Sequence, residues 1–198
     1  MEFKQRINVS GYRGVWGESL TKEVVILYTR AFVSFLKEKN QKPTILIGRD
    51  GRESGPEIKN LILNELKNLG VEGIGGDILP TPTVLFSVHK HGYTGGIIIT
   101  ASHNPIEYNG LKFVNDKGLF TINEEVIKIN KYYEEEIEKY NKEISPLLIE
   151  EGVRGGDLKE LPPRLSGTPP LKGGDESPNF LKEHADKIIF LPSVNVIV

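Results

Sequence analysis

The chain has 198 residues, a net charge of −2, 38% hydrophobic and 26% charged residues, which predicts one compact soluble domain with some excess length. A charge this close to neutral removes the basic field a nucleic-acid partner would need, and zero cysteines exclude disulfides, thiolate catalysis and Cys-ligated metals. Even the longest apolar run, 24–28, falls far short of the roughly 20 residues that span a bilayer, and the first ten residues lack a signal-peptide plan, so a cytoplasmic location away from membranes is expected.

Taken in chain order, Gly11-Tyr12-Arg13-Gly14 reads as a tight turn holding an arginine outward, where its forked donors suit a phosphate. Thr21 is placed to cap a helix whose apolar stripe is Val24, Leu27, Tyr28, Ala31, Phe32 and Phe35, the spacing of one buried face. Residues 44–48 form a short β-rich run. It feeds Gly48-Arg49-Asp50-Gly51-Arg52-Glu53-Ser54-Gly55, two arginines running into a helix start. Ser54 and Glu57 read as a capping box ahead of Ile58, Leu61, Ile62, Leu66 and Leu69, with Gly70 at the C-terminal cap.

Residues 71–74 predict a weak strand, Thr81-Pro82 a short helix through Val88, and Gly92 its stop. Residues 96–100 are the clearest buried strand, and 111–115 read as its neighbour. Thr121 with Glu124 predicts a further capping box. Its helix places Ile122, Val126, Ile129, Tyr133, Ile137 and Tyr140 on one face, with Glu135–Lys139 and Glu138–Lys142 pairs outside. After residue 145 proline and glycine become dense, which predicts a linker or irregular tail. The expected organisation is therefore a domain over 1–145 and a tail over 146–198.

This alternation predicts an α/β fold: three α/β/α layers around a mostly parallel mixed sheet, followed by the Gly/Pro-rich tail. Ligands of such sheets sit beyond the carboxyl ends of the strands. Two polar segments fall there, Arg49 to Arg52 and Thr100-Ala101-Ser102-His103-Asn104-Pro105. Ser102 leaves a buried strand on a tight connection, and His103 beside it can exchange a proton near neutrality. Neighbours in an extended segment face opposite ways, so His103 need not be the base that activates Ser102. Pro105 biases Asn104 away from helix. Tyr108-Asn109-Gly110-Leu111-Lys112 launches a strand with Lys112 early on it, close to the serine loop. On composition alone, each segment also reads as an ordinary turn with solvated arginines or a surface lysine.

Together and in this order, the four segments resemble the α-D-phosphohexomutases, the phosphomannomutase and phosphoglucomutase family, over residues 7 to 140, the first of that family's four domains. The resemblance implies that Ser102 carries a phosphoryl group between the 1- and 6-positions of a hexose phosphate. It also implies that Arg13, His103 and Lys112 serve transition-state charge and proton transfer. Tyr12, Arg49, Arg52 and Asn104 become candidates for substrate phosphate, and Mg²⁺ is expected on the Ser102 phosphate.

The family's Asp-Gly-Asp-x-Asp-Arg metal loop and Gly-Glu-x-Ser-Gly-His sugar-reading segment are missing from the sequence. Arg164-Leu165-Ser166-Gly167-Thr168-Pro169-Pro170 is similar to the family's distal phosphate loop, with Pro169 where glutamate is expected; the other reading is linker. The expected partners are a hexose phosphate and a second chain supplying the missing domains. The alternatives are a non-catalytic module of the same fold that binds a phosphosugar or partner chain, and an unrelated α/β binding protein.

Overall fold

A computed structural model describes residues 6–150 of the chain, with side chains described through residue 142. The expected Arg164 phosphate loop and the expected tail beyond Glu150 lie outside the described residues.

Five strands and four helices follow one another as β1 (Tyr12–Val15), α1 (Lys22–Lys37), β2 (Thr44–Arg49), α2 (Gly55–Asn68), β3 (Glu72–Ile78), α3 (Thr81–His91), β4 (Gly95–Ile99), β5 (Tyr108–Val114) and α4 (Asn123–Glu150). The sheet order is β1-β5-β4-β2-β3. β3, β2 and β4 run parallel, whereas β5 is antiparallel to both β4 and β1. The mixed α/β/α expectation holds, with β4 as the strand where parallel pairing gives way to antiparallel.

Period-two alternation sorts the strands between two cores. Ile45, Ile47, Ile97, Ile99, Leu111 and Phe113 face α1, α2 and α4, while Leu46, Ile98 and Val114 meet Val84 and Val88 of α3. The helix α1 is buried beyond its expected stripe, Val25, Ile26, Thr29 and Val33 included, because it packs against both α2 and α4. Its Thr21 cap forms as expected, the hydroxyl accepting the Val24 N–H at 3.4 Å. Gly70 and Gly92 sit at φ +65° and +67°, ending α2 and α3 where the sequence placed their caps.

Several local expectations are corrected. The segment Gly11 to Gly14 is no isolated turn: its residues 12–14 belong to edge strand β1, whose four residues are too few to show an alternation. Ser54 makes no capping bond and stays in the helical region; its hydroxyl instead accepts from Asn109 Nδ2 at 2.9 Å. At α4 the reciprocal carboxylate is Glu125, which accepts the Ile122 N–H at 3.1 Å, one residue later than expected; Ile122 precedes the helix and is exposed. Lys139 pairs with Glu136 at 2.5 Å rather than with Glu135. The helix α4 continues through Pro146 to Glu150.

The N-terminal segment is tied across the domain. Ile7 N–H donates to the Tyr28 hydroxyl and to Asn130 Oδ1, both at 3.1 Å, and Asn130 Nδ2 returns a bond to Ile7 O at 2.9 Å. Tyr28 stacks on Tyr133 with ring centroids 3.7 Å apart, and burial pushes its phenol pKa far up, so it serves as a neutral hydrogen-bond anchor.

Candidate active site

The strand β4 ends at Ile99, and the chain turns at once through a loop built on side-chain acceptors. The Thr100 hydroxyl accepts the Ser102 N–H at 2.9 Å, and Ala101 is fully buried. Ser102 adopts φ +58°, the one non-glycine residue with a positive φ among the described residues. Side chains enter this left-handed region at a cost of about 1–2 kcal/mol, so the loop holds its serine against a local preference. Ser102 and His103 are both exposed. Ser102 Oγ lies 3.5 Å from His103 Nδ1, at the outer limit of hydrogen bonding, as suits neighbours that are contiguous but not aimed at each other.

The edge strand β1 brings the first cation. Arg13 pairs with Gly110 of β5, and its Nη1 donates to Asn104 Oδ1 at 3.2 Å. Gly110 is required there: a Cβ would stand 2.9 Å from Thr100 O, closer still to Tyr12 O, and 3.2 Å from Arg13 Cγ. Without that side chain, Arg13 can lie across β5 toward the serine loop. Lys112, two residues beyond Gly110, projects from the same face of the sheet as Arg13. Its Nζ lies 5.1 Å from the centroid of the Phe120 ring. Burial, and secondarily the charge of Arg13, lower its pKa below the ordinary lysine value.

Other expected residues are placed differently. Tyr12 points to the opposite face, 4% exposed, its hydroxyl donating to Ser19 O at 2.5 Å; it belongs to the core and offers nothing to a ligand. Arg49 turns along the sheet, Nη2 donating to Asp77 at 2.5 Å and Nη1 to Asp50 O at 3.1 Å. Arg52 is buried at 9% exposure and directs its guanidinium at protein groups rather than at solvent. The structure thus gathers Ser102, His103, Asn104, Arg13 and Lys112, and leaves Tyr12, Arg49 and Arg52 out of the open surface.

Thr100, Asp50, Ser54 and Asn109 lie within the quoted segments but are not among the expected site residues. Asn109 is fully buried, donating to Ser54 and accepting the Gly110 N–H at 2.8 Å, so it ties the start of β5 to the start of α2. Its place in the Tyr108-Asn109-Gly110-Leu111-Lys112 segment, polar and next to a glycine at a strand start, was the available signal.

The sequence profile described as phosphoglucomutase/phosphomannomutase, alpha/beta/alpha domain I, matches residues 4–140. The chain belongs to this phosphohexomutase family. Among phosphohexomutase relatives, it is 38% identical over 128 residues to a phosphoglucosamine mutase of Clostridium beijerinckii, covering 65% of this chain and 29% of the relative. It is 40% identical over 128 residues to a phosphoglucosamine/phosphogalactosamine mutase of Sulfurisphaera tokodaii, covering 65% and 26%. The fold is similar to a solved structure described as a putative phosphomannomutase from Thermus thermophilus, with TM-score 0.61, 27% identity, and coverage of 65% of this chain and 29% of that one. A phosphoglucomutase/phosphomannomutase family protein of Burkholderia thailandensis matches with TM-score 0.55, 28% identity, and coverage of 65% and 31%. This phosphohexomutase domain therefore spans less than a third of the length of the relatives it matches.

The described residues contain no group of three or more His, Cys, Asp or Glu side chains that could hold a metal ion. They do not by themselves fit a Mg²⁺ site.

Proposed function

We propose that this chain is the phosphoserine-bearing part of a hexose-phosphate mutase. The observation that carries the reading is Ser102 itself: a hydroxyl held outward at the carboxyl end of β4 in a left-handed turn, beside the strand pair that carries Arg13 and Lys112. Phosphoryl transfer asks mainly for in-line placement and for cations around spreading negative charge.

In this reading a phosphoryl group on Ser102 Oγ passes to a hydroxyl of a hexose phosphate. The P–Oγ bond breaks, a P–O bond to the sugar forms, and the sugar hydroxyl loses its proton while Oγ recovers one. The bisphosphate then returns its other phosphoryl to Ser102. Arg13 supplies fixed positive charge, and its bond to Asn104 keeps it beside the loop. Lys112, with its proton loosened by burial, is suited to proton exchange, as is exposed His103.

Mg²⁺ chemistry in this reading draws on ligands beyond the described residues, and no step here is routed through it. A hexose phosphate as substrate, a second chain supplying further domains and a cytoplasmic location complete the reading; the names of the relatives support the substrate class, and the absence of cysteine suits the location. The names of those relatives make glucosamine 1- and 6-phosphate the first pair to assay.

Intact-mass analysis and peptide mapping test the assignment, on chain isolated together with the missing domains. One phosphate on Ser102, absent from Ser102→Ala, is the expected outcome. A phosphate mapped to another serine, with Ser102 always bare, would sink it.

A further inference from the structure

Arg52 spends every N–H of its guanidinium inside the protein. Nε donates to Asp50 Oδ2 at 3.2 Å. Nη1 donates to the carbonyls of Pro105 at 2.6 Å and Tyr108 at 3.0 Å, and Nη2 to those of Ser102 at 3.1 Å and Asn104 at 2.8 Å. Five donors meet five acceptors, and four of those acceptors are backbone carbonyls of the segment that runs from Ser102 into β5. Asp50 fixes the other end, its Oδ1 accepting the Arg52 N–H at 3.0 Å.

We propose that Arg52, oriented by Asp50, is the positioning residue that holds the serine loop in its reactive posture, gripping the carbonyl of Ser102 while Thr100 holds its N–H. The catalytic half of this inference rests on the function proposed above; the conformational half stands without it.

The physical case is one of geometry. Carbonyls crowded at the mouth of a loop repel one another, and a left-handed serine adds strain. A planar fork with five fixed donors can satisfy four such carbonyls at once. An ammonium group has three donors and no plane, so lysine is no substitute here despite equal charge. Arg52 is also buried at 9% exposure, where its hydrogen bonds are poorly screened and an unpaired carbonyl is costly. A phosphate would have to displace these carbonyls to reach the guanidinium.

The test uses the full chain as Arg52→Lys, Arg52→Ala and Asp50→Asn. Nuclear magnetic resonance reads the Ser102 backbone coupling and carbon shifts, which report φ, and hydrogen exchange reads the Asn104 and Tyr108 amides. In Arg52→Lys the Ser102 signature should leave the left-handed range and both loop amides should exchange at least about tenfold faster. The Ile47 and Ile98 amides and the left-handed Gly92 should not move. Asp50→Asn should give a smaller change of the same kind, and added guanidinium ion should restore the Ser102 signature in Arg52→Ala. An unchanged Ser102 signature in the arginine variants overturns the proposal. So does loss of the whole fold in both, which would make Arg52 a support of the domain rather than of its loop.

In enzyme assembled with the missing domains, Arg52→Lys should lower kcat by up to about a hundredfold with KM little changed, the mark of a misplaced reacting group. A raised KM at unchanged kcat would show that Arg52 binds substrate phosphate and would overturn the positioning role. Wild-type assembly that never phosphorylates Ser102 would instead overturn the proposed function and leave the conformational result standing.

Discussion

At the scale of single residues, the serine loop carries a stored cost that substitution can expose. Glycine enters the left-handed region freely, whereas alanine meets the same steric penalty as serine. Both replacements remove the hydroxyl. Ser102→Gly should therefore be more stable than Ser102→Ala by about 1 kcal/mol, measured as a shift in the urea midpoint at constant slope. Equal stability would mean that the backbone relaxes out of its positive φ.

Lys112 offers a test with a sign. Its pKa is lowered by burial and then by Arg13, so the folded state binds this proton less tightly than the unfolded chain. The resulting penalty is fully present below the folded pKa. It is relieved as pH rises through the interval up to the ordinary value of 10.5. Lys112→Met should accordingly be stabilised relative to wild type near neutrality, and that advantage should shrink as pH rises through this interval. A phosphoryl group on Ser102 should draw the lysine pKa back up.

At the scale of elements, the pairing of β1 with β5 is what delivers Arg13 to the loop. Gly110→Ala would drive a methyl group into two backbone carbonyls that have no rotamer to yield. A loss of about 2–3 kcal/mol in denaturant unfolding is expected, together with loosening of β1. Retention of full stability would show that the edge strand shifts easily and that Arg13 is not pinned.

This same strand marks how far the sequence could be read. The caps at Thr21, Gly70 and Gly92, the buried faces of α1 and α2, and the central strands were legible because each rests on local chemistry or on a period that a window of residues displays. The segment Gly11 to Gly14 is four residues between glycines, and its strand character comes entirely from a partner almost a hundred positions away. Reading it as a turn left Tyr12 facing a ligand, when alternation sends it into the core and Arg13 out. The Ser54–Asn109 bond and the grip of Arg52 on four carbonyls were invisible for a similar reason: side-chain bonds to distant backbone carry no periodicity. Ser102, Arg13 and Lys112 were found through the motifs around them, not through any such pattern.

At the scale of the whole molecule, the described fold supplies a serine, two cations and a rigid floor. It spans less than a third of the relatives it matches. On the proposed function, the far phosphate of a hexose phosphate has no clamp among the site residues assembled here, and orientation of that kind supplies roughly 7–11 kcal/mol in favourable cases. The purified chain should therefore show no measurable conversion of a hexose 1-phosphate, and addition of the missing domains in trans should restore a Ser102-dependent rate. Robust turnover by the chain alone would force a search for a clamp formed by self-association.

The clasp between Ile7 and Asn130 also bears on the order in which a new chain takes shape. Residues near the beginning leave the ribosome first, yet this one finds its two-way partner only after 123 further positions have been made. The edge strand beside it waits as well, since β5 begins at Tyr108. Helices α1 and α2 and strands β2 to β4 can assemble meanwhile, each from neighbours already synthesised. Arg13, made ahead of every described helix, is thus among the last of the described groups to reach its station. Until then the nascent serine turn lacks the outward charge of Arg13, and the half-made domain has little to offer a passing phosphate ester.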